Sequence, residues 1–293
     1  MSVINMNDAK EYFDKGAALE NLERYEEAIR CYDRAIEINP NYDEAWNNKG
    51  TALGSLGKHE EAIRCFGRVI EINPNDAEAW FNKGVAFGKL GLYDVEIHCY
   101  DRANKINPNY AKAWSNKGVA LRRLGRYEEE IRCYDRAINI NPNYAEAWSN
   151  KGAALGSLGR YEEEIRCYDR AIEINPNLAE AWANKGAALG RLGRYDEAIC
   201  CCERAIGINP IFAMAYCNKG IVLGMLRRYE EAIRCFDRAI EINPSYAEAW
   251  YNKGTALYWL KRYSEARKAL EKAASLGFEQ ARQALDALSR EGH

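Results

Sequence analysis

The sequence predicts an all-α protein, an α-solenoid of eight helix pairs closed by a C-terminal helix. Three observations lead there. The text repeats every 34 residues, without insertion or deletion, from Ala9 to Gln280. Within each repeat the apolar residues recur at helical spacing. Glycine and Asn-Pro alternate as stop signals, one at each half of the unit. A fixed period of this length marks units that cannot bury an apolar face alone and must stack on their neighbours.

Repeats begin at Ala9, Asp43, Ala77, Ala111, Ala145, Ala179, Ala213 and Ala247, giving 9–42, 43–76, 77–110, 111–144, 145–178, 179–212, 213–246 and 247–280. They are expected to form one array, 9–280, after an N-terminal lead of residues 1–8 and before a capping helix at 279–290. Ala145–Leu178 serves as the template. Trp148, Leu155 and Leu158 make the stripe of a first helix, which Gly159 stops. Tyr161 opens a second helix, with Glu162 and Glu163 in the turn where the macrodipole favours acids. Ile165, Tyr168, Ala171 and Ile172 form its buried side, and Asn175-Pro176 ends it. The spacings Asn41–Glu44, Asn75–Glu78, Asn143–Glu146, Asn177–Glu180 and Ser245–Glu248 predict capping boxes, and Asp8 a first cap. In Glu279–Arg290, Ala281, Leu285 and Leu288 share a side that would cover the last repeat.

Bulk composition removes several function classes. The 41 basic and 43 acidic residues nearly cancel, so no global field attracts nucleic acid or an anionic membrane. Apolar runs are short and interrupted by charge, and MSVINMND lacks a basic segment followed by an apolar one. No membrane span or signal peptide is expected, and a cytoplasmic location is. Seven of the ten cysteines (31, 65, 99, 133, 167, 201 and 235) occupy one repeat position. Stacked helices hold such positions roughly 10 Å apart, beyond disulfide reach, so they read as core fillers. Cys200, Cys201 and Cys202 point in different directions on a helix, and no CxxC pair completes a zinc site. No metal or other cofactor is expected. His59, His98 and His293 are scattered, and no phosphate loop, nucleophile elbow or carboxylate pair suggests an enzyme.

The recurring residues are Ala-Trp, then Gly and Ala, Gly-Arg-Tyr, Ala-Ile, Tyr, Ala and Pro. This pattern resembles the tetratricopeptide repeat (TPR) family, over nearly the whole chain. The Asn-Lys-Gly triplets are similar to those of archaeal TPR arrays. The resemblance implies a right-handed superhelix whose first helices line a concave, peptide-binding groove.

Two departures from the family pattern stand out. Position 7, usually leucine, is Lys15, Lys49, Lys83, Lys117, Lys151, Lys185, Lys219 and Lys253. A helical wheel places it on the apolar side, so each ammonium should snorkel outward or meet a carboxylate. Asp169 and its equivalents are the expected partners, with Gly67 interrupting the series. The second departure is Glu96, Glu130 and Glu164, in place of an alanine that faces a glycine; contact with a neighbouring lysine is expected.

Positions 2, 5, 6, 9, 12 and 13 cluster opposite the apolar stripe, and the resemblance makes them groove-lining. Position 6 is Asn48, Asn82, Asn116, Asn150, Asn184, Asn218 and Asn252. Asparagine inside a helix costs about 0.5–0.7 kcal/mol relative to alanine, so its recurrence calls for a reason. A carboxamide matches the donors and acceptors of an extended main chain. The TPR region of O-linked N-acetylglucosamine transferase carries a similar ladder. Bridging of neighbouring helices and simple copying by duplication are the alternatives. Repeats four and five differ at six of 34 positions, and four of those six are groove positions.

Three zones follow. Lys89, Lys112, Arg122 and Arg123 make a basic zone suited to an acidic group on the ligand. Ser149, Ala153, Gly156, Ala183, Ala187 and Gly190 make a zone of small residues. Met214, Ile221, Met225, Tyr251, Tyr258 and Trp259 make an apolar, aromatic zone for an anchor, although Tyr258 and Trp259 could instead pack under the last helix. The expected function is a non-catalytic scaffold that binds an extended peptide or partner segment. The alternative is a substrate-recruiting TPR subunit of an enzyme such as a protein glycosyltransferase. No nucleic-acid or membrane partner is expected, and the ends of the array leave self-association open.

Overall fold

The computed structural model describes residues 6–290. Residues 1–5, most of the expected lead and of the stretch read for a leader, lie outside them. The described residues are helical throughout, without strands, and divide into two compact units, Met1–Pro142 and Asn143–His293. The first unit contains α1 (Met6–Asn21), α2 (Tyr25–Ile38), α3 (Asp43–Ser55), α4 (His59–Ile72), α5 (Ala77–Lys89), α6 (Tyr93–Ile106), α7 (Ala111–Arg123) and α8 (Tyr127–Ile140). The second contains α9 (Ala145–Ser157), α10 (Tyr161–Ile174), α11 (Ala179–Arg191), α12 (Tyr195–Ile208), α13 (Ala213–Met225), α14 (Tyr229–Ile242), α15 (Ala247–Trp259), α16 (Tyr263–Ser275) and α17 (Glu279–Arg290). In each unit a first helix packs on the second helix of its own repeat, which packs on the first helix of the next.

Stop signals act where the sequence places them. At the end of α9, Gly159 has φ +74, its N–H donates to the Gly156 carbonyl, and the Arg160 N–H donates to Leu155. These two bonds make a Schellman turn, which needs a left-handed residue just past the helix. Repeats one, seven and eight put Glu23, Arg227 and Lys261 into the same conformation without glycine. Second helices end on asparagine: Asn175 closes α10, and its side-chain oxygen accepts from the Asn177 N–H at 3.1 Å.

Those asparagine turns displace the capping boxes. The residue before α3, α9, α11 and α15 is Tyr42, Tyr144, Leu178 or Tyr246, without a side-chain cap bond. Asp76, not Asn75, caps α5 by accepting from the Ala79 N–H. Asp8 falls inside the first turn of α1 and so does not precede the helix.

Interlocking of the pairs rests on three recurring contacts. Glycine at position 8 admits the aromatic ring at position 24: a Cβ on Gly118 or Gly220 would lie within 2.8 Å of Tyr134 or Phe236. The tyrosines at this position, Tyr32, Tyr100, Tyr134 and Tyr168, are fully buried, each contributing about 1.5–3 kcal/mol by leaving water. Tryptophan at position 4 donates from its indole to the proline carbonyl of the preceding turn, as Trp46 to Pro40 and Trp182 to Pro176, both at 3.0 Å. The position-7 lysines meet the acids expected of them: Lys49–Asp33, Lys117–Asp101 and Lys185–Asp169 at 2.5 Å, Lys253–Asp237 at 2.6 Å and Lys219–Glu203 at 2.7 Å. Each such pair ties a first helix to the second helix before it. At the C-terminal end, Ala281 and Leu285 of α17 cover Leu270, Ala273 and Trp250.

Candidate functional site

The site is built from an arrangement that recurs between consecutive repeats. Positions 9, 12, 13, 17 and 24 of one repeat and positions 6, 9, 10 and 13 of the next surround a cavity. Between repeats two and three its volume is about 230 Å³, and the lining includes Gly54, Phe66, Asn82 and Lys89. Between repeats three and four it is about 420 Å³, with Gly88, Lys89, Tyr93, Glu96, Tyr100, Asn116 and Arg123. Between repeats seven and eight it is about 310 Å³, with Ile221, Met225, Tyr229, Phe236, Asn252 and Trp259. One architecture thus carries three chemistries: a phenylalanine floor with a lysine rim, a carboxylate floor between two cations, and an aromatic box.

The asparagines of position 6 sit on α3, α5, α7, α9, α11, α13 and α15 and are all half-buried. Asn82, Asn116 and Asn252 line the three cavities. Some also bridge the array: the Asn82 amide donates to Asn47 Oδ1 at 3.3 Å, and Asn218 to the Ala183 carbonyl at 3.0 Å. Asn116 shares its cavity with the buried Tyr100, whose hydroxyl donates to Glu96 at 3.0 Å. The ladder is therefore at once helix bridge and cavity wall.

The basic zone changes character. Lys89 and Arg123 are exposed and line the cavity that holds Glu96. Lys112 lies over the Phe81 ring at 5.2 Å. Arg122 is not a free cation: its Nε meets Glu130 Oε1 at 2.5 Å, so its charge is neutralised within the repeat. Position 13 supplies a basic residue that the zones passed over, Arg191, which lies over the Tyr161 ring and 3.8 Å from Glu164. Its place in the repeat, equivalent to Lys89 and Arg123, is the signal that could have found it.

Glu96, Glu130 and Glu164 do not contact lysine. All three are buried; Glu96 and Glu164 occupy the gap left by glycine at position 12, whereas Glu130 meets Arg122 there. A Cβ on Gly88 would fall within 2.7 Å of the Glu96 carboxylate, and one on Gly156 within 2.6 Å of that of Glu164. Burial raises the proton affinity of each: Glu96 against Tyr100 and Arg123, Glu130 against Arg122, and Glu164 up to about 7 against Arg191 and Tyr168.

In the aromatic zone the structure separates residues the sequence grouped. Tyr251 packs against Phe278, with ring centroids 4.9 Å apart and planes tilted by 38°, beside α17, and belongs to the terminal packing. Trp259 is 60% exposed and lies parallel to Tyr229 at 6.3 Å, and Met225 is 50% exposed; both line the cavity between repeats seven and eight. Tyr258 stands edge-on to Trp259 and Tyr263. Neither Tyr258 nor Trp259 belongs to the cluster under α17.

Among the described residues no group of three or more His, Cys, Asp or Glu could hold a metal ion. The Cys65, Cys99, Cys133 and Cys201 thiols are buried and pushed up to about 11 by desolvation. No described helix is long and apolar enough to cross a membrane.

Helix pairs of constant length, stacked in register with Gly–aromatic locks, define a helical-repeat solenoid. A tetratricopeptide repeat model matches residues 9–42, 43–76, 145–178, 179–212 and 213–246, more than half of the chain, and related repeat models match 65–94, 99–132, 118–159 and 247–277. The chain belongs to the tetratricopeptide repeat family, and its class is that of a protein-interaction scaffold. No curated protein matches it. Among solved structures, MamA is 24% identical, with a TM-score of 0.53 over 59% of this chain and 94% of that one. YrrB, described as a TPR protein with an unusual peptide-binding site, is 24% identical, with a TM-score of 0.52 over 64% and 97%. The APC/C hetero-tetramer Cut9–Hcn1 aligns over 94% of this chain and 54% of that one, at 14% identity and a TM-score of 0.69. These likenesses concern the fold.

Proposed function

We propose that the face lined by the first helices is a groove for extended peptide segments of partner proteins, and that the chain acts there without catalysis in the cytoplasm. The observation that carries this reading is the recurring inter-repeat cavity, whose frame is constant while its lining changes. A constant frame with half-buried amides suits main-chain contacts, and a variable lining suits side-chain selection. In the first unit Lys89 and Arg123 flank a carboxyl whose proton affinity is raised, leaving positive charge for an acidic side chain. In the second, Met225, Tyr229 and Trp259 form an exposed aromatic box suited to an apolar anchor. That YrrB is described as having a peptide-binding site supports the same use of the fold.

A peptide array probed with the full chain, followed by titration calorimetry of the hits, tests this. Replacing Lys89 and Arg123 with glutamate should weaken hits that carry an acidic residue by about tenfold or more, sparing neutral ones. Trp259→Ala should weaken hits that carry an aromatic or leucine anchor by a similar factor. Hits that ignore all three substitutions would place binding elsewhere.

A further inference from the structure

A second site lies on another face, where the lysine column is interrupted. Lys49, Lys117, Lys185, Lys219 and Lys253 each meet an aspartate or glutamate from the preceding second helix at 2.5–2.7 Å. Lys83 stands opposite Gly67 instead, and among the described residues it has no carboxylate partner. A Cβ built on Gly67 would meet only the Lys83 ammonium, at 3.7 Å, so nothing in the packing requires glycine there. Nor does the backbone, because Gly67 lies inside α4 without a positive φ. In a helix interior glycine is unfavourable relative to alanine.

Beside Gly67 lies a cavity of about 670 Å³, with Lys49, Lys83, Arg64, Arg68 and Glu71 among its charged groups. Lys49 and Arg68 are already committed, to Asp33 and Glu71. Glu61 also faces the space, while Trp46, Leu53 and Ile63 give it an apolar wall. With Lys49 and Arg68 paired, Arg64 and Lys83 outnumber Glu61, and this surplus of positive charge beside an apolar wall fits a carboxylate on an aliphatic stem.

The geometry points to the Gly67 notch as a binding site for an external carboxylate, which takes the place that an aspartate side chain fills beside the other lysines. The ligand is either a small aliphatic acid or an acidic side chain of a partner segment. The contact is an ion pair to Lys83 Nζ, with the stem against Trp46 and Leu53.

Propionate, titrated against full-length protein at constant ionic strength, is the first probe. Lysine Nζ resonances and thermal melting are the readouts. Saturable binding with a shift confined to the Lys83 signal is expected, and it should persist in Gly67→Ala. Gly67→Asp, which supplies the carboxylate internally, should abolish binding and raise the melting temperature above that of Gly67→Ala. Lys83→Met should also abolish it; should that variant fail to fold, Gly67→Asp carries the test alone. A peptide with one glutamate between neutral residues distinguishes the sources. Binding about tenfold tighter than propionate assigns a protein segment, and equal or weaker binding assigns a free acid. Equal stabilisation of wild type and Gly67→Asp by propionate, or no saturable shift at Lys83, would overturn the site.

Discussion

The Nε of Arg122 lies 2.5 Å from Oε1 of Glu130, a side chain with no exposure to solvent, and both belong to the fourth repeat. At the equivalent positions the second repeat has Gly54 and Ala62, and the sixth has Gly190 and Ala198. The fourth repeat has therefore exchanged a small apolar pair for an ion pair in the same slot. A buried charge that loses its partner is costly, whereas replacing the whole pair is often neutral.

Arg122→Ala should therefore lower stability by roughly 1–3 kcal/mol, the discount on a fully buried pair reflecting the one-third exposure of the arginine. Arg122→Gly with Glu130→Ala should return to within about 1 kcal/mol of wild type despite the helical glycine. Urea unfolding of Arg122→Gly, Glu130→Ala and their double gives the coupling; additive losses would mean that the pair does not act as one unit.

Glu164 makes stability depend on pH near neutrality. Its carboxyl is pushed up to about 7, chiefly by burial, with Arg191 and Tyr168 opposing and Gly156 providing the space. The folded state thus holds the proton more tightly than the unfolded chain, in which a glutamate titrates near about 4.3. The associated stability is present below the unfolded value and is lost as pH rises through about 7. Stability should fall between about pH 5 and 8, by at most ~3 kcal/mol from this residue, and Glu164→Gln should flatten the slope. Glu96 and Glu130 add the same sign. The exposed arginine-paired carboxylates, such as Glu27 and Glu129, are shifted downward and act in acid, below that window. Urea midpoints across the window check this, and an unchanged slope in Glu164→Gln would contradict it.

The fold was legible because every copy carries the same punctuation. Gly159 and Asn175 mark the ends of α9 and α10, and the lysine–aspartate pairs follow from a wheel that puts position 7 on the buried side. The partners of the glutamates were not legible. Glu130 meets Arg122, which stands where most repeats have glycine at position 12, and no wheel of one helix reveals that the two side chains meet. Tyr251 and Trp259 look alike as groove aromatics, yet one packs on Phe278 and the other projects into solvent. That difference depends on where α17 lands. The helix starts misled for a local reason: each closing asparagine accepts from the N–H two residues on, so the cap passes to the residue after that.

Asn218 tests how far the asparagine column is structural. Its amide donates to the Ala183 carbonyl at 3.0 Å, tying α13 to α11. Asn218→Ala forfeits a bond with a net value of about 0.5–1.5 kcal/mol and regains about 0.6 kcal/mol of helix propensity. The net loss should therefore stay below about 1 kcal/mol, measured by urea unfolding. A loss of several kcal/mol would make the column a structural necessity rather than a cavity wall with a bridging side role.

Gly54 and Gly88 occupy the same repeat position in the same kind of helix, yet substitution should move them in opposite directions. A Cβ on Gly54 meets nothing within 4 Å, because Ala62 stands opposite. Gly54→Ala should then be stabilising by up to about 1 kcal/mol, the helix-propensity gain. A Cβ on Gly88 would lie 2.5–2.7 Å from the carboxylate of Glu96, which is buried and hydrogen-bonded by Tyr100 at 3.0 Å. The carboxylate cannot retreat without losing that bond, so Gly88→Ala should cost roughly 1–3 kcal/mol through overpacking. Adding Glu96→Ala to Gly88→Ala recreates the Gly54→Ala environment and should restore the stabilising sign. Thermal melts of the three variants decide the matter: if Gly88→Ala stabilises on its own, Glu96 does not occupy the glycine slot.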